Sequence, residues 1–142
     1  MKIKTTIKDL RIIDIPKIED RRGNLSVIEK DIIPFEIKRV YYLYDVPSDA
    51  YRGGHAHKDQ AELLVALSGS FDVIMNDGKE ERRVALNKPF QGLIIPQGIW
   101  RELENFSAGS VCLVLASDVF KEDDYIRDFN EFISFSTNNT AS

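Results

Sequence analysis

Histidine, cysteine and tryptophan are scarce in this chain, which has two, one and one of them in 142 residues. A lone cysteine forms no intrachain disulfide, and Cys112 sits in the apolar run Val111-Cys112-Leu113-Val114-Leu115, where a small buried thiol is expected. No stretch approaches the about 18 apolar residues of a membrane span, and Met1-Lys2-Ile3-Lys4-Thr5-Thr6 lacks the apolar core of a secretory leader. A cytoplasmic, reduced location and no membrane partner are therefore expected. Basic residues are in deficit, 19 against 23 acidic ones, so the net charge is -4. That balance argues against a nucleic-acid partner, because duplex binding gathers many Lys and Arg on one face. With eight Gly and five Pro the chain is neither collagenous nor of low complexity, and 43% hydrophobic residues exclude disorder.

What remains is an ordinary globule. A chain of this length buries about two-thirds of its unfolded surface as one domain, expected over 1–135, with the small polar residues of 136–142 expected to fray. The dominant hydrophobic period is two, in short segments divided by turn residues, which predicts an antiparallel all-β sandwich or small barrel. Strands are predicted at 7–15, 24–29, 39–44, 62–67, 71–75, 81–86, 92–95 and 111–116. Asn76-Asp77-Gly78-Lys79 joins two of them, and Asp-Gly favours the positive φ of a tight hairpin. Over 121–133 the period changes: Tyr125, Phe129 and Phe132 recur at helical spacing behind Glu122-Asp123-Asp124, so one short C-terminal helix is predicted.

Both histidines fall in Arg52-Gly53-Gly54-His55-Ala56-His57-Lys58-Asp59-Gln60-Ala61-Glu62. On an extended strand i and i+2 share a face, so His55 and His57 project together. Imidazole titrates near neutral pH, and such a pair suits proton transfer or metal ligation. Gly53-Gly54 reads as a bend rather than a phosphate cradle, since no strand–glycine loop–helix unit surrounds it. Trp100 reads as a buried indole, and Lys79-Glu80-Glu81-Arg82-Arg83 as a solvated strand.

With Ser68-Gly69 and the downstream run Gly92-Leu93-Ile94-Ile95-Pro96-Gln97-Gly98-Ile99-Trp100-Arg101-Glu102, the histidine segment resembles the paired motifs of the cupin superfamily. The first motif reads HxH, Glu, Gly and matches His55, His57, Glu62 and Gly69; the second reads Gly, PxG, His and matches Pro96 and Gly98. The resemblance implies a cupin fold, a double-stranded β-helix or jelly-roll barrel. Where a metal-binding cupin offers its last histidine, this chain has Arg101. A guanidinium has no lone pair for a cation and repels it, so no metal is expected. A fixed cation beside two imidazoles suits a developing oxyanion or a phosphate instead.

A closer resemblance covers nearly the whole chain. Ile37-Lys38-Arg39-Val40-Tyr41-Tyr42, Arg52-Gly53-Gly54-His55-Ala56-His57, Ser68-Gly69-Ser70-Phe71, Trp100-Arg101-Glu102, Val114-Leu115-Ala116-Ser117 and Asp124-Tyr125-Ile126-Arg127 are similar to strings of the WxcM-like nucleotide-sugar 3,4-ketoisomerases. These are small cupins that need no metal or other cofactor and move the carbonyl of dTDP-4-keto-6-deoxy-D-glucose from C4 to C3, supplying 3-amino-3,6-dideoxy sugars for surface polysaccharides. The reaction needs one or two groups that exchange protons near neutral pH and positive or hydrogen-bonding groups around an enediolate. The resemblance implies His55 as the base at C3 and His57 as the handler of the second or hydroxyl protons. Arg52, Arg101 and Tyr42 would hold the oxygens, and Glu62 would orient an imidazole. It also ties the positions of Arg22 and Arg101 to the C4 configuration, with the galacto product favoured, and implies a homodimer. Three other readings stay open: a dTDP-sugar 3,5-epimerase, a metal-dependent cupin enzyme, and a sugar-binding cupin module without turnover.

Overall fold

Period-two patterning becomes twelve short strands among residues 4–138, the part of the chain that the computed structural model describes. In chain order they are β1 (Arg11–Asp14), β2 (Lys17–Asp20), β3 (Gly23–Ser26), β4 (Arg39–Leu43), β5 (Arg52–His57), β6 (Glu62–Ser68), β7 (Phe71–Asn76), β8 (Glu81–Leu86), β9 (Gln91–Ile95), β10 (Trp100–Glu104), β11 (Val111–Ala116) and β12 (Tyr125–Ile126), before the helix α1 (Phe129–Asn138). Two five-stranded sheets, β1-β9-β6-β11-β4 and β12-β5-β10-β7-β8, face each other, and every pairing is antiparallel. This is the jelly-roll barrel of the cupin architecture, as the paired motifs imply.

Alternation explains which residues fill it. Leu64, Ala66, Val73, Met75, Leu93, Ile95, Leu103, Cys112 and Val114 point between the sheets and form the main core. Cys112 is there as a small buried apolar group, its thiol pushed up to about 12 by burial and by Glu62. The other face of β6 is apolar too, because Leu63 and Val65 lie under a strap carrying Ile28, Ile32, Ile33 and Phe35. The Asp-Gly turn forms as predicted: Gly78 has φ +98°, and Asp77 Oδ1 accepts from the amides of Lys79 and Glu80.

Four expectations shift. The strand predicted from residue 7 begins at Arg11, because Thr6 and Asp9 form a capping box around a 3-10 turn at Ile7–Asp9. Strands β2, β5, β10 and β12 were outside the predicted set; β2 and β3 pair only with each other, and all eight of their residues are exposed. Over 121–133 the acidic run forms a 3-10 turn at Glu122–Asp124 and then β12, so the helix starts at Phe129. It continues through Ser136, which is buried and donates to the Asp77 carbonyl at 2.9 Å, past the expected start of the tail; 139–142 lie outside the described residues. Phe129 and Phe132 of α1 cover Trp100, which is buried as expected.

Candidate active site

Gly53 and Gly54 enter β5 with φ +93° and +59°, values that favour glycine. Opposite them the β10 register slips between Arg101 and Glu102, so that Arg101 pairs with His55 and Glu102 with Gly53. A Cβ on Gly53 would lie 3.1 Å from the Arg101 carbonyl oxygen and 3.2 Å from the Glu102 Cα. The glycine pair thus lets the strands meet closely around a bulge and sets an arginine against a histidine. The bend expected from sequence is real, and this close approach is its purpose.

His55, Glu62, Arg52 and Arg101 all line one cavity of about 370 Å³ inside the barrel mouth. Arg101 is 1% exposed; its Nη1 donates to Glu62 Oε1 at 2.6 Å, and Nε and Nη2 donate to the Ile99 carbonyl. The Tyr41 hydroxyl donates to Glu62 Oε2 at 2.8 Å. His57 lies behind this layer, fully buried, with Nε2 at 3.5 Å from Glu62 Oε2, the edge of hydrogen-bond reach, and Nδ1 at 2.8 Å from Asp124 Oδ2. The two imidazoles stand edge to face, 4.9 Å apart, as the i, i+2 spacing predicts.

Their environments push these groups in different directions. Burial, then the charges of Arg101 and His57, lowers the His55 imidazole to about 3, so it is neutral at pH 7. Its Nδ1 faces the Gly53 carbonyl at 3.2 Å, and a carbonyl only accepts, so Nδ1 carries the hydrogen and Nε2 the lone pair. That Nε2 has no hydrogen-bond partner. For Glu62, burial alone would raise the carboxyl, but the His57 contact, the Arg101 charge and the Tyr41 bond together hold it at about 2. Burial and the adjacent Glu62 charge push the Tyr41 phenol up, so it stays a hydroxyl donor.

Two expected residues are elsewhere. Tyr42 is 59% exposed on the outer face of β4, because side chains alternate along the strand; the tyrosine that reaches the cavity is its neighbour Tyr41. Arg22 is in the exposed β2–β3 hairpin, bonded to Asp20, and does not line the cavity. Sequence reasoning missed Arg39, Tyr125 and Arg127, which line the cavity, and Asp124 behind it. Arg39 stands in the string Ile37-Lys38-Arg39-Val40-Tyr41-Tyr42, and Asp124-Tyr125-Ile126-Arg127 holds the other three, but its acidic start reads as a helix N-terminus.

The cavity gathers four arginines, Arg39, Arg52, Arg101 and Arg127, around one carboxylate, in a chain of net charge -4. Arg127 is tied to Glu122 and lies 4.2 Å over the Tyr125 ring, and Arg39 donates to the Tyr125 hydroxyl at 3.2 Å. One ligand-type atom from each of His55, His57 and Glu62 falls within 4.8 Å of the others, the three-ligand arrangement of a metal cupin. The residues do not fit a cation: a guanidinium is bonded directly to the carboxylate, and His57 already faces a carboxylate with each nitrogen.

Residues 8–137 match the family described as FdtA: WxcM-like, C-terminal. The chain is 44% identical over 123 residues, 86% of its length and 88% of the relative's, to the TDP-4-oxo-6-deoxy-alpha-D-glucose-3,4-oxoisomerase of Aneurinibacillus thermoaerophilus. Among solved structures it is similar to a His-to-Asn variant of the 3,4-ketoisomerase QdtA from Thermoanaerobacterium thermosaccharolyticum in complex with TDP-4-keto-6-deoxyglucose, at 37% identity and TM-score 0.92 over 96% of this chain and 99% of that one. It is also similar to the WlaRB TDP-quinovose 3,4-ketoisomerase of Campylobacter jejuni, at 46% identity and TM-score 0.86 over 90% and 99%.

Proposed function

The chain belongs to the WxcM-like family, whose named relatives are sugar-nucleotide isomerases, and from that premise we propose that it converts TDP-4-keto-6-deoxyglucose to the 3-keto isomer. One observation carries the reading: a neutral imidazole with an unpartnered Nε2 lies beside a buried arginine in a cavity rich in positive charge. The hydrogen on C3 is acidic because the C4 carbonyl can take the charge. His55 Nε2 removes it, the C3–H pair becomes the C3=C4 bond, and the carbonyl pair moves onto O4. The enediolate so formed is held by the remaining N–H donors of Arg101. C4 then takes a proton while the hydroxyl on C3 loses one and becomes the carbonyl. C3 and its oxygen each give up a proton, C4 and its oxygen each gain one, and no electron acceptor enters the balance.

Arg39, Arg52 and Arg127 offer a diphosphate the charges it needs. His57 lines no part of the cavity, so it reaches a hydroxyl proton only through Glu62. The protein works in this reading as a cytoplasmic homodimer that supplies 3-amino-3,6-dideoxy sugars for surface polysaccharides. No helix among the described residues is long and apolar enough to cross a membrane. Exposed Ile18 and Leu25 on the β2–β3 hairpin, with Val40, Tyr42 and Tyr44 on and beside β4, are apolar surface that a second copy would cover. Because Arg22 does not line the cavity of its own chain, it would reach substrate only across such a dimer, in the partner's cavity.

Incubation with TDP-4-keto-6-deoxyglucose in D2O and EDTA tests the reading. NMR is expected to show a 3-keto product with deuterium at C4; no exchange at C3 or C4 overturns the proposal. Exchange at C3 and C5 with the carbonyl still at C4 makes the protein an epimerase. The spectrum also reads the C4 configuration: the pairing of Arg22 with Arg101 favours galacto, whereas the 46% identity to a TDP-quinovose enzyme favours gluco. His55→Asn is expected to lower kcat about 10²–10⁴-fold with melting and TDP binding unchanged.

A further inference from the structure

The two histidines share a strand and a face, yet His55 opens on the cavity whereas His57 is buried against Asp124. Strand β12 joins the edge of β5 with Tyr125 opposite His57 and Ile126 opposite Ala56. This pairing brings Asp124 under the His57 ring, where every acceptor on it is used: its carbonyl takes the Lys58 amide at 2.8 Å, Oδ1 takes the Asp59 amide at 2.7 Å, and Oδ2 faces His57 Nδ1 at 2.8 Å. Asp124 is buried, so His57 is enclosed between two carboxylates, hydrogen-bonded to Asp124 at Nδ1 and with Glu62 3.5 Å from Nε2, which makes no hydrogen bond. The remaining neighbours are the edge of His55 at 4.9 Å and the Tyr125 ring at 4.5 Å. Charge settles the rest. Arg101, Glu62 and Asp124 sum to one negative charge in a dry interior, and a hydrogen on both nitrogens of His57 neutralises it and gives each facing oxygen a donor.

We propose that Asp124 is a positioning residue that divides the histidine pair, holding His57 as an imidazolium hydrogen-bonded to Asp124 and facing Glu62, and thereby leaving His55 as the neutral imidazole. It acts through His57 in two ways. The imidazolium stands 4.9 Å from His55 and disfavours a second proton there, which keeps the His55 lone pair available. It also stands 3.5 Å from Glu62, whose hydrogen bonds go to Arg101 and Tyr41 at the cavity wall. The kinetic part of the inference rests on the ketoisomerase reading; the protonation part does not.

The scarcity of histidine makes the test direct. In tag-free protein labelled with 15N-histidine, two imidazoles account for all side-chain signals. At pH 7 one is expected with both nitrogens protonated and the other neutral with its hydrogen on Nδ1. Two neutral rings in the wild type overturn the proposal without any reference to activity. In Asp124→Asn the charged signal is expected to become neutral, with kcat down about 10–10²-fold and KM changed less than about twofold. Asp124→Glu is expected to recover both. A folded Asp124→Asn protein that keeps the charged ring and wild-type kcat also overturns the assignment. Should that variant fail to fold, the wild-type spectrum still decides. If the wild-type spectrum is as expected and the TDP sugar is not turned over, the functional reading fails and the protonation assignment stands.

Discussion

Arg101–Glu62 at 2.6 Å and Arg22–Asp20 at 2.7 Å are the same bond in two regions of the molecule. Their side chains are 1% and 2% exposed in the first pair and 86% and 44% in the second. The hairpin pair is two residues apart and forms wherever a turn brings neighbours together, in water that screens it. The barrel pair joins β10 to β6 across 39 residues and is tolerable only because every partner is satisfied: Ile99 and Glu62 on the arginine, Tyr41 on the carboxylate. An ion pair says little by itself. One that a fold buries, surrounds with donors and opens to a cavity is a candidate for chemistry.

Removing the buried cation gives the largest expected effect. Arg101→Met leaves Glu62 as a dry, uncompensated charge, so denaturant unfolding is expected to lose about 3–5 kcal/mol. Adding Glu62→Gln to it is expected to recover part of that loss, because no naked charge remains. A single variant that unfolds like wild type would erase the distinction between the two pairs.

Acid tests the same region more gently. His55 is lowered from 6.5 to about 3, so its contribution to stability is fully present above pH 6.5 and is lost as pH falls toward 3, while the unfolded chain takes the proton first. Glu62, lowered from 4.5 to about 2, contributes fully above pH 4.5 and loses its share below that. Of these two groups only His55 acts between pH 6.5 and 4.5. Melting temperatures measured across that window are expected to fall in wild type and to stay flatter in His55→Asn; parallel curves would remove His55 from the acid response.

Much of this region was legible in the chain. The strand over Val111–Ala116 and the Asp-Gly hairpin follow from local period and turn chemistry, the shared face of His55 and His57 from their spacing, and Glu62 and Arg101 from the resemblance to the cupin motifs. The misses have physical causes. Tyr41 and Tyr42 differ by one position, and a one-residue shift exchanges the faces of a strand. Asp124 looked like part of a helix start because acidic residues favour helix N-termini; what it does instead is accept from β5 and the turn after it, 67 and 65 residues earlier. Long-range pairing of a two-residue strand leaves no local period to read.

Gly53 sets how closely β5 meets β10, so its variant has a smaller, graded effect. Gly53→Ala puts a Cβ at φ +93° and 3.1 Å from the Arg101 carbonyl. A loss of about 1–2 kcal/mol is expected from the backbone alone, with kcat falling as β10 shifts Arg101 away from His55. Gly54→Ala meets nothing nearer than the Tyr51 ring at 3.8 Å and serves as the control for φ without the clash. Equal losses of kcat in the two variants would mean that the close approach to β10 has no role.

The smallest effect on stability belongs to the hairpin. Arg22→Ala is expected to leave the melting temperature unchanged, since among the described residues it bonds only to an exposed neighbour. Its kinetics carry the information. If Arg22 serves only its own hairpin, turnover and product match wild type. In the proposed dimer it meets the partner's substrate, and Arg22→Ala lowers turnover or alters the C4 configuration with no change in stability. Mixing then separates the cases. A heterodimer of Arg22→Ala and His55→Asn protomers holds one cavity with both residues intact, His55 from one chain and Arg22 from the other. Wild-type turnover or product regained on mixing the two homodimers places Arg22 in the partner's cavity; no regain confines it to the exposed pair it forms with Asp20.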